Sequence, residues 1–195
     1  MESKIRRVYL DCEFTGLHKD TTLISISLVG DDNKCFYAEF DDYDDSQVDD
    51  YIEEEILSKL VMTHINFEHT SKIDNVTYVK GNVHYIKNEL DKWLSRYSSD
   101  IIEVWSDCLA YDWVLFINLY GDAFSIPVNI FYIPFDISTL MKAYGIDPDI
   151  KREDFIKSED LMMNTDNKHN SLHDAIVIKA CHEKLIKLSK KIVNI

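Results

Sequence analysis

The sequence predicts an α/β fold, a mixed five-stranded sheet with three antiparallel N-terminal strands and two later ones, flanked by helices. Three observations carry this. Residues 6–14 (RVYLDCEF in their second part) and 34–40 are rich in β-branched and aromatic side chains. Residues 21–29 alternate Leu23, Ser25, Ser27 and Val29 with Ile24, Ile26 and Leu28, the period of a strand. After residue 47 the apolar spacing lengthens to that of helices, with two short strand-like runs between them.

Taken in order, the turn Gly30-Asp31-Asp32-Asn33 joins the second and third strands and makes the first three a meander. Residues 48–60 place Val48, Tyr51, Ile52, Ile56 and Leu60 on one side of a helix. Residues 83–97 do the same with Ile86, Leu90, Trp93, Leu94 and Tyr97. The run 101–105 (IIEVW) is a short strand, and 110–120 is a helix ending at Gly121. Residues 130–135 form the fifth strand, stopped near Pro134, and 136–144 form a helix closed by Gly145. The last helix starts at Ser171 or Leu172, with Ala175, Ile178, Cys181, Leu185 and Leu188 as its apolar stripe. Residues 1–195 are expected to be one domain, with 63–82 an inserted loop or hairpin.

A chain of 195 residues that is 46% hydrophobic can bury a substantial core. Five glycines and three prolines leave little room for long linkers. No stretch reaches the roughly 20 consecutive apolar residues of a membrane span, and the first residues lack a secretory signal pattern. The expectation is a cytoplasmic protein with no membrane partner. Cys12, Cys35, Cys108 and Cys181 form no CxxC pair and are expected to be buried free thiols. The formal net charge of −14 argues against a broad grip on long nucleic acids, which needs a basic face. Much of the negative charge is clustered in the segment 41–55, and carboxylates that hold divalent cations would be neutralised by them.

Three acidic segments bear on function. Strand alternation sends Val8, Leu10, Cys12 and Phe14 to one face of 6–14, and Tyr9, Asp11 and Glu13 to the other. Two carboxylates among apolar neighbours need a neutralising partner, and Mg²⁺ or Mn²⁺ would serve. The alternative is an edge strand with both acids in water. Asp112 shares a helix face with Leu115, Phe116 and Leu119, so it needs either a ligand or a capping role. Asp107 competes with it, and is expected to act as a cap or as a supporting group. In 168–185 (KHNSLHDAIVIKACHEKL), Asp174 lies in the first turns of an amphipathic helix. His169, five residues earlier, would point about 140° away if helical, so it is placed on the preceding loop, from which it can reach the same site.

These segments match a family pattern in order. The chain resembles the DEDDh 3′–5′ exonucleases, whose fold is ribonuclease H-like. Their Asp-x-Glu motif is Asp11-Cys12-Glu13 here, their mid-chain aspartate is Asp112, and their His-x4-Asp motif is His169 to Asp174. The wording DCEFTGL (11–17) is similar to the opening of oligoribonucleases. A longer likeness runs to the small exoribonucleases of the mycobacterial type, through LISISLV (23–29), Tyr37-Ala38, IEEEILSKL (52–60) and AYDWV (110–114). One departure is His173 beside Asp174, a second imidazole that competes with His169.

The resemblance implies a phosphodiester hydrolase with two Mg²⁺ or Mn²⁺ ions. These would lower the pKa of the attacking water and stabilise charge on the non-bridging and leaving oxygens. It implies Asp11, Glu13, Asp112 and Asp174 as ligands, with Asp11 bridging, and His169 as general base. The substrate would be a nucleic-acid 3′ end, with single-stranded RNA preferred, and the product a nucleoside 5′-monophosphate. Phe14, Thr15 and Leu17 would lie against the terminal nucleotide. A homodimer is left open.

Overall fold

The computed structural model describes residues 4–156 and 168–193. Its centre is β1 (Ile5–Phe14), paired antiparallel with β2 (Leu23–Gly30) and, on its other side, with a later strand. β2 pairs antiparallel with β3 (Cys35–Phe40), so the expected meander forms. Both β2 and β3 are buried along their whole length. Helices cover both sheet faces, so the serines of the alternating strand face a helix and not water.

The sheet has seven strands, where the sequence indicated five. After α1 (Asp50–Glu55), residues 63–82 contribute a hairpin of β4 (His69–Ile73) and β5 (Val76–Gly81). β5 pairs parallel with β3 and extends the sheet by two strands. Then follow α2 (Val83–Leu94), β6 (Ile101–Ser106), α3 (Ala110–Asn118), β7 (Phe135–Asp136), α4 (Ile137–Ala143), α5 (Arg152–Ile156) and α6 (Ser171–Val193). β6 runs parallel to β1, and the strand order is β4-β5-β3-β2-β1-β6-β7.

Two expected elements are shorter than their patterns. The helix at 48–60 is reduced to α1 and a single 3-10 turn at Leu57–Lys59, with Ile56 between them at φ −111° and ψ −59°. The buried Glu39 carboxylate takes the Val61 and Met62 N–H groups at 2.7 and 3.0 Å, which holds the chain beyond that turn against the sheet. The strand at 130–135 is reduced to β7 plus one bridge between Ile130 and Ile102. Pro134 has no N–H to donate to a ladder there.

The side chains of Asp49, Asn82 and Asp136 cap α1, α2 and α4. Gly121 and Gly145 take φ of +89° and +71° just beyond α3 and α4. One core lies between the sheet and α2 with α3, and contains Val8, Leu10, Cys12, Phe36, Leu90 and Phe116. The other lies under α4, α5 and α6, and contains Tyr9, Ile137, Met141, Ile178 and Cys181. Cys12, Cys35 and Cys181 are buried free thiols, but Cys108 is exposed, on a residue with φ of +53° in the β6–α3 turn. Among the described residues no helix is long and apolar enough to cross a membrane.

Candidate active site

Asp11 and Glu13 occupy the C-terminal half of β1 and face α6, as strand alternation requires. Opposite them in the register stand Ser27 and Ser25 of β2. Both serine hydroxyls meet the Ser171 hydroxyl, at 2.8 and 3.0 Å. Asn170 accepts from the His173 N–H at 3.3 Å. These bonds pin the start of α6 over β1 and β2, so Asp174 in its first turn comes down beside the strand carboxylates. Farther along α6, the Tyr9 hydroxyl meets His182 Nδ1 at 2.8 Å, and Lys179 donates to the Gly30 carbonyl at 3.1 Å.

Asp112 arrives from the other side of the strand end. It lies in the first turn of α3 and is only 7% exposed. Its carboxylate accepts from the Cys12 N–H and the Ser106 hydroxyl, each at 3.0 Å, which joins α3 to β1 and β6. His169 sits in the turn before α6 with φ of +65°. Its N–H donates to Asp174 Oδ2 at 3.0 Å, and its Nε2 lies 3.4 Å from the Tyr51 hydroxyl. Ligand atoms of Glu13, His169 and Asp174 lie within 4.8 Å of one another.

All five residues line one cleft of about 630 Å³ at the C-terminal ends of β1 and β6. Burial pushes the Asp11 carboxyl well above the ordinary range, with further push from Asp112, Asp174 and Glu13. Glu13 rises to about 8, through burial and then the charges of Asp174 and Asp112. Burial raises Asp112 to about 7 against the opposing bonds from Ser106 and Cys12. Asp174 also rises to about 7 through burial, opposed by the His169 N–H. Among the described residues none of the four is ion-paired with a lysine or arginine. Such a group is short of positive charge, and its carboxylate oxygens with one imidazole are a donor set that suits a divalent cation.

The competing residues are placed elsewhere. Asp107 lines the cleft, but Arg152 grips it with two bonds, Nε to Oδ2 at 2.6 Å and Nη2 to Oδ1 at 2.8 Å. It also accepts from the Ser138 hydroxyl; the N-cap of α3 is Leu109, without a side-chain bond, and Asp136 caps α4. His173 is half-buried, with Nε2 shielded from solvent and without a hydrogen-bond partner among the described residues. Of the expected nucleotide contacts, Phe14 is half-buried and stacked on Tyr111 at 5.4 Å, and Leu17 is 77% exposed. Thr15 is buried, and its hydroxyl meets Thr22 at 3.2 Å and Gln47.

The cleft also contains residues that the sequence reading passed over, notably Lys151, Arg152, Glu153 and Lys168. Their signal was the basic pair before α5 and the lysine next to His169, both ordinary in surface loops. Tyr51, assigned to the apolar side of a helix, is 56% exposed and packs edge-on against His169, ring centroids 6.1 Å apart.

An acidic cleft with an imidazole, at the end of the central strand of a helix-flanked mixed sheet, is an arrangement that could hold a divalent cation. The architecture is compatible with a ribonuclease H-like fold. Residues 6–186 match the family model described as the 3′–5′ exoribonuclease Rv2179c-like domain, and the chain belongs to that family. Its membership indicates a nuclease with 3′–5′ exoribonuclease-like function. No curated protein matches the chain.

Proposed function

We propose that this chain is a two-metal 3′–5′ exoribonuclease of the DEDDh type. In this reading it hydrolyses the phosphodiester next to a free 3′-hydroxyl end of single-stranded RNA and releases nucleoside 5′-monophosphates. The observation that carries the reading is the convergence of Asp11, Glu13, Asp112, Asp174 and His169 on one cleft. Asp11, Glu13, Asp112 and Asp174 would hold two Mg²⁺ or Mn²⁺ ions. When bound, these would lower the pKa of the attacking water and stabilise charge on the non-bridging and leaving oxygens.

The chain's own groups would do the rest. His169 accepts the proton of the attacking water. Burial lowers its pKa from the usual 6.5, which keeps the imidazole neutral and able to act as a base near pH 7. Asp174 positions it by accepting from its backbone N–H. Ser106 and the Cys12 N–H orient Asp112. Phe14 and Leu17 contact the terminal base, and Thr15 holds the turn between them through its internal bonds. The reading takes residues 1–195 as one catalytic domain of a cytoplasmic enzyme, with an oligoribonuclease-like first motif at 11–17.

The test uses 5′-labelled single-stranded RNA and DNA, each with a free or a blocked 3′ end, incubated with Mg²⁺ or Mn²⁺. The expected result is a ladder that shortens from the free 3′ end of RNA and disappears with a chelator or with Asp11→Asn. Absence of metal-dependent shortening of any strand overturns the reading.

A further inference from the structure

We propose that the β4–β5 hairpin builds a second nucleotide-binding subsite, which holds RNA upstream of the bond being cut. The proposal rests on the exoribonuclease reading above. In the sheet register, Asp11 stands opposite Ser27, Ser27 opposite Tyr37, Tyr37 opposite Tyr78 and Tyr78 opposite Ser71. These residues form one row across the face that carries the acidic cleft. α6 covers the row over β1 and β2, and the hairpin carries it farther.

Beyond α6 the row opens into a pocket of about 390 Å³, lined by Tyr37, Tyr78, His64, His69, Ser71 and Asn170 among others. That volume falls in the range of sites for a small ligand or a nucleobase. Asn170 directly follows His169, so a single turn of chain forms a wall of the pocket and a wall of the cleft. The opposite wall is held in place by buried Glu39. It accepts from the Val61 and Met62 N–H groups and the Tyr37 hydroxyl, and pairs with Lys80 at 3.3 Å. Asn170 ties the same segment to α6 by donating to the Lys59 carbonyl at 3.1 Å.

Charge and chemistry select the occupant. The chain has 35 acidic against 21 basic residues, yet among the described residues lining this pocket there is no carboxylate. Beside five apolar residues between Val61 and Leu172, the lining offers the partly exposed Tyr78 ring, two imidazoles, a hydroxyl and an amide, with Tyr37 buried beneath them, a mixture that can pack against and hydrogen-bond to an unpaired base. Neighbouring strands lie about 4.8 Å apart, so β3 and β5 are roughly 10 and 14 Å from β1. A strand advances about 3.4 Å per stacked nucleotide and roughly twice that when extended, so the pocket meets a base about two to four nucleotides 5′ of the scissile bond.

The experiment measures kcat and KM on single-stranded oligoribonucleotides of two to eight nucleotides. It compares the wild type with the double variant His64→Glu/His69→Glu and with Tyr78→Ala. For the wild type, kcat/KM should step up about tenfold once the substrate is long enough to reach the pocket. The histidine variant should lose that step through KM, with its dinucleotide kinetics unchanged. Because His64 is exposed and His69 half-buried, this variant keeps the test open if Tyr78→Ala fails to fold. A wild-type kcat/KM independent of length overturns the subsite, and so does a step that both folded variants retain. If the wild type cleaves no strand of any length, the exoribonuclease reading falls and the subsite falls with it.

Discussion

The two faces of β1 carry opposite chemistry. One face sends Val8, Leu10 and Cys12 into a dry core against α2 and α3. The other, one residue out of step, sends Tyr9, Asp11 and Glu13 under α6, among hydroxyls, carboxylates and an imidazole. The first face contributes stability by removing apolar area from water. The second crowds four carboxyls together at a cost to the folded state, and that cost equips it to bind cations. Within one strand, the pleat alone separates the apolar core from the acidic cleft.

The largest effect expected from breaking this contrast is on activity. Asp11→Asn should lower kcat/KM about a thousandfold or more, the scale of losing a main electrostatic contribution to the transition state, while circular dichroism shows an intact fold. Next comes the base. His169→Ala should cost about a hundredfold in kcat, whereas His173→Ala should stay within about twofold; the reverse result would move the base to His173. On the opposite face the signs change. Leu10→Ala should destabilise the protein by about 2–5 kcal/mol in denaturant titrations, with kcat per folded molecule unchanged.

The smallest effect concerns pH. The folded carboxyl values of about 7 to 8 for Glu13, Asp112 and Asp174 lie above the unfolded values of about 4. Between about pH 4 and 8 the folded state therefore binds more protons, and metal-free stability falls as pH rises across that interval and levels off above it. Thermal melts of the metal-free protein between about pH 5 and 8.5 should show a Tm that declines and then flattens. A single removed charge should raise Tm at pH 8 by a few degrees, at about 2–4 °C per kcal/mol. Asp11→Asn should thus melt higher than the wild type without metal, and lower than the wild type once Mg²⁺ or Mn²⁺ is added. A flat wild-type profile would mean that the carboxyls are not crowded in solution.

Much of this was legible in local pattern. The alternation of 21–29, the turn at 30–33 and the helix-closing Gly121 and Gly145 report on neighbours a few residues away, and short-range physics is enough to read them. Residues 63–82 were legible as an inserted loop or hairpin, but not as two more strands of the sheet. Their strands alternate weakly, and β5 becomes a sheet member through parallel pairing with β3, which no local pattern encodes. The helix at 48–60 was over-read for a related reason. Its apolar spacing continues past Ile56, but the chain there is bound to Glu39 on a distant strand.

The site divides in the same way. By itself the sequence determined that Asp11 and Glu13 share a strand face, because side chains alternate with a period of two whatever the fold. It also determined that Asp174 opens an amphipathic helix and that His169 precedes it. Only the tertiary structure shows where the rival residues lie. Asp112 reaches the cleft through the Cys12 N–H, 100 positions away, while Asp107 is held by Arg152, 45 positions away. His169 meets Tyr51 across 118 positions, and His173 Nε2 finds no partner among the described residues. Those contacts depend on where the sheet and α6 come to rest, and that is set by burial summed over the whole chain, not by spacing within any one segment.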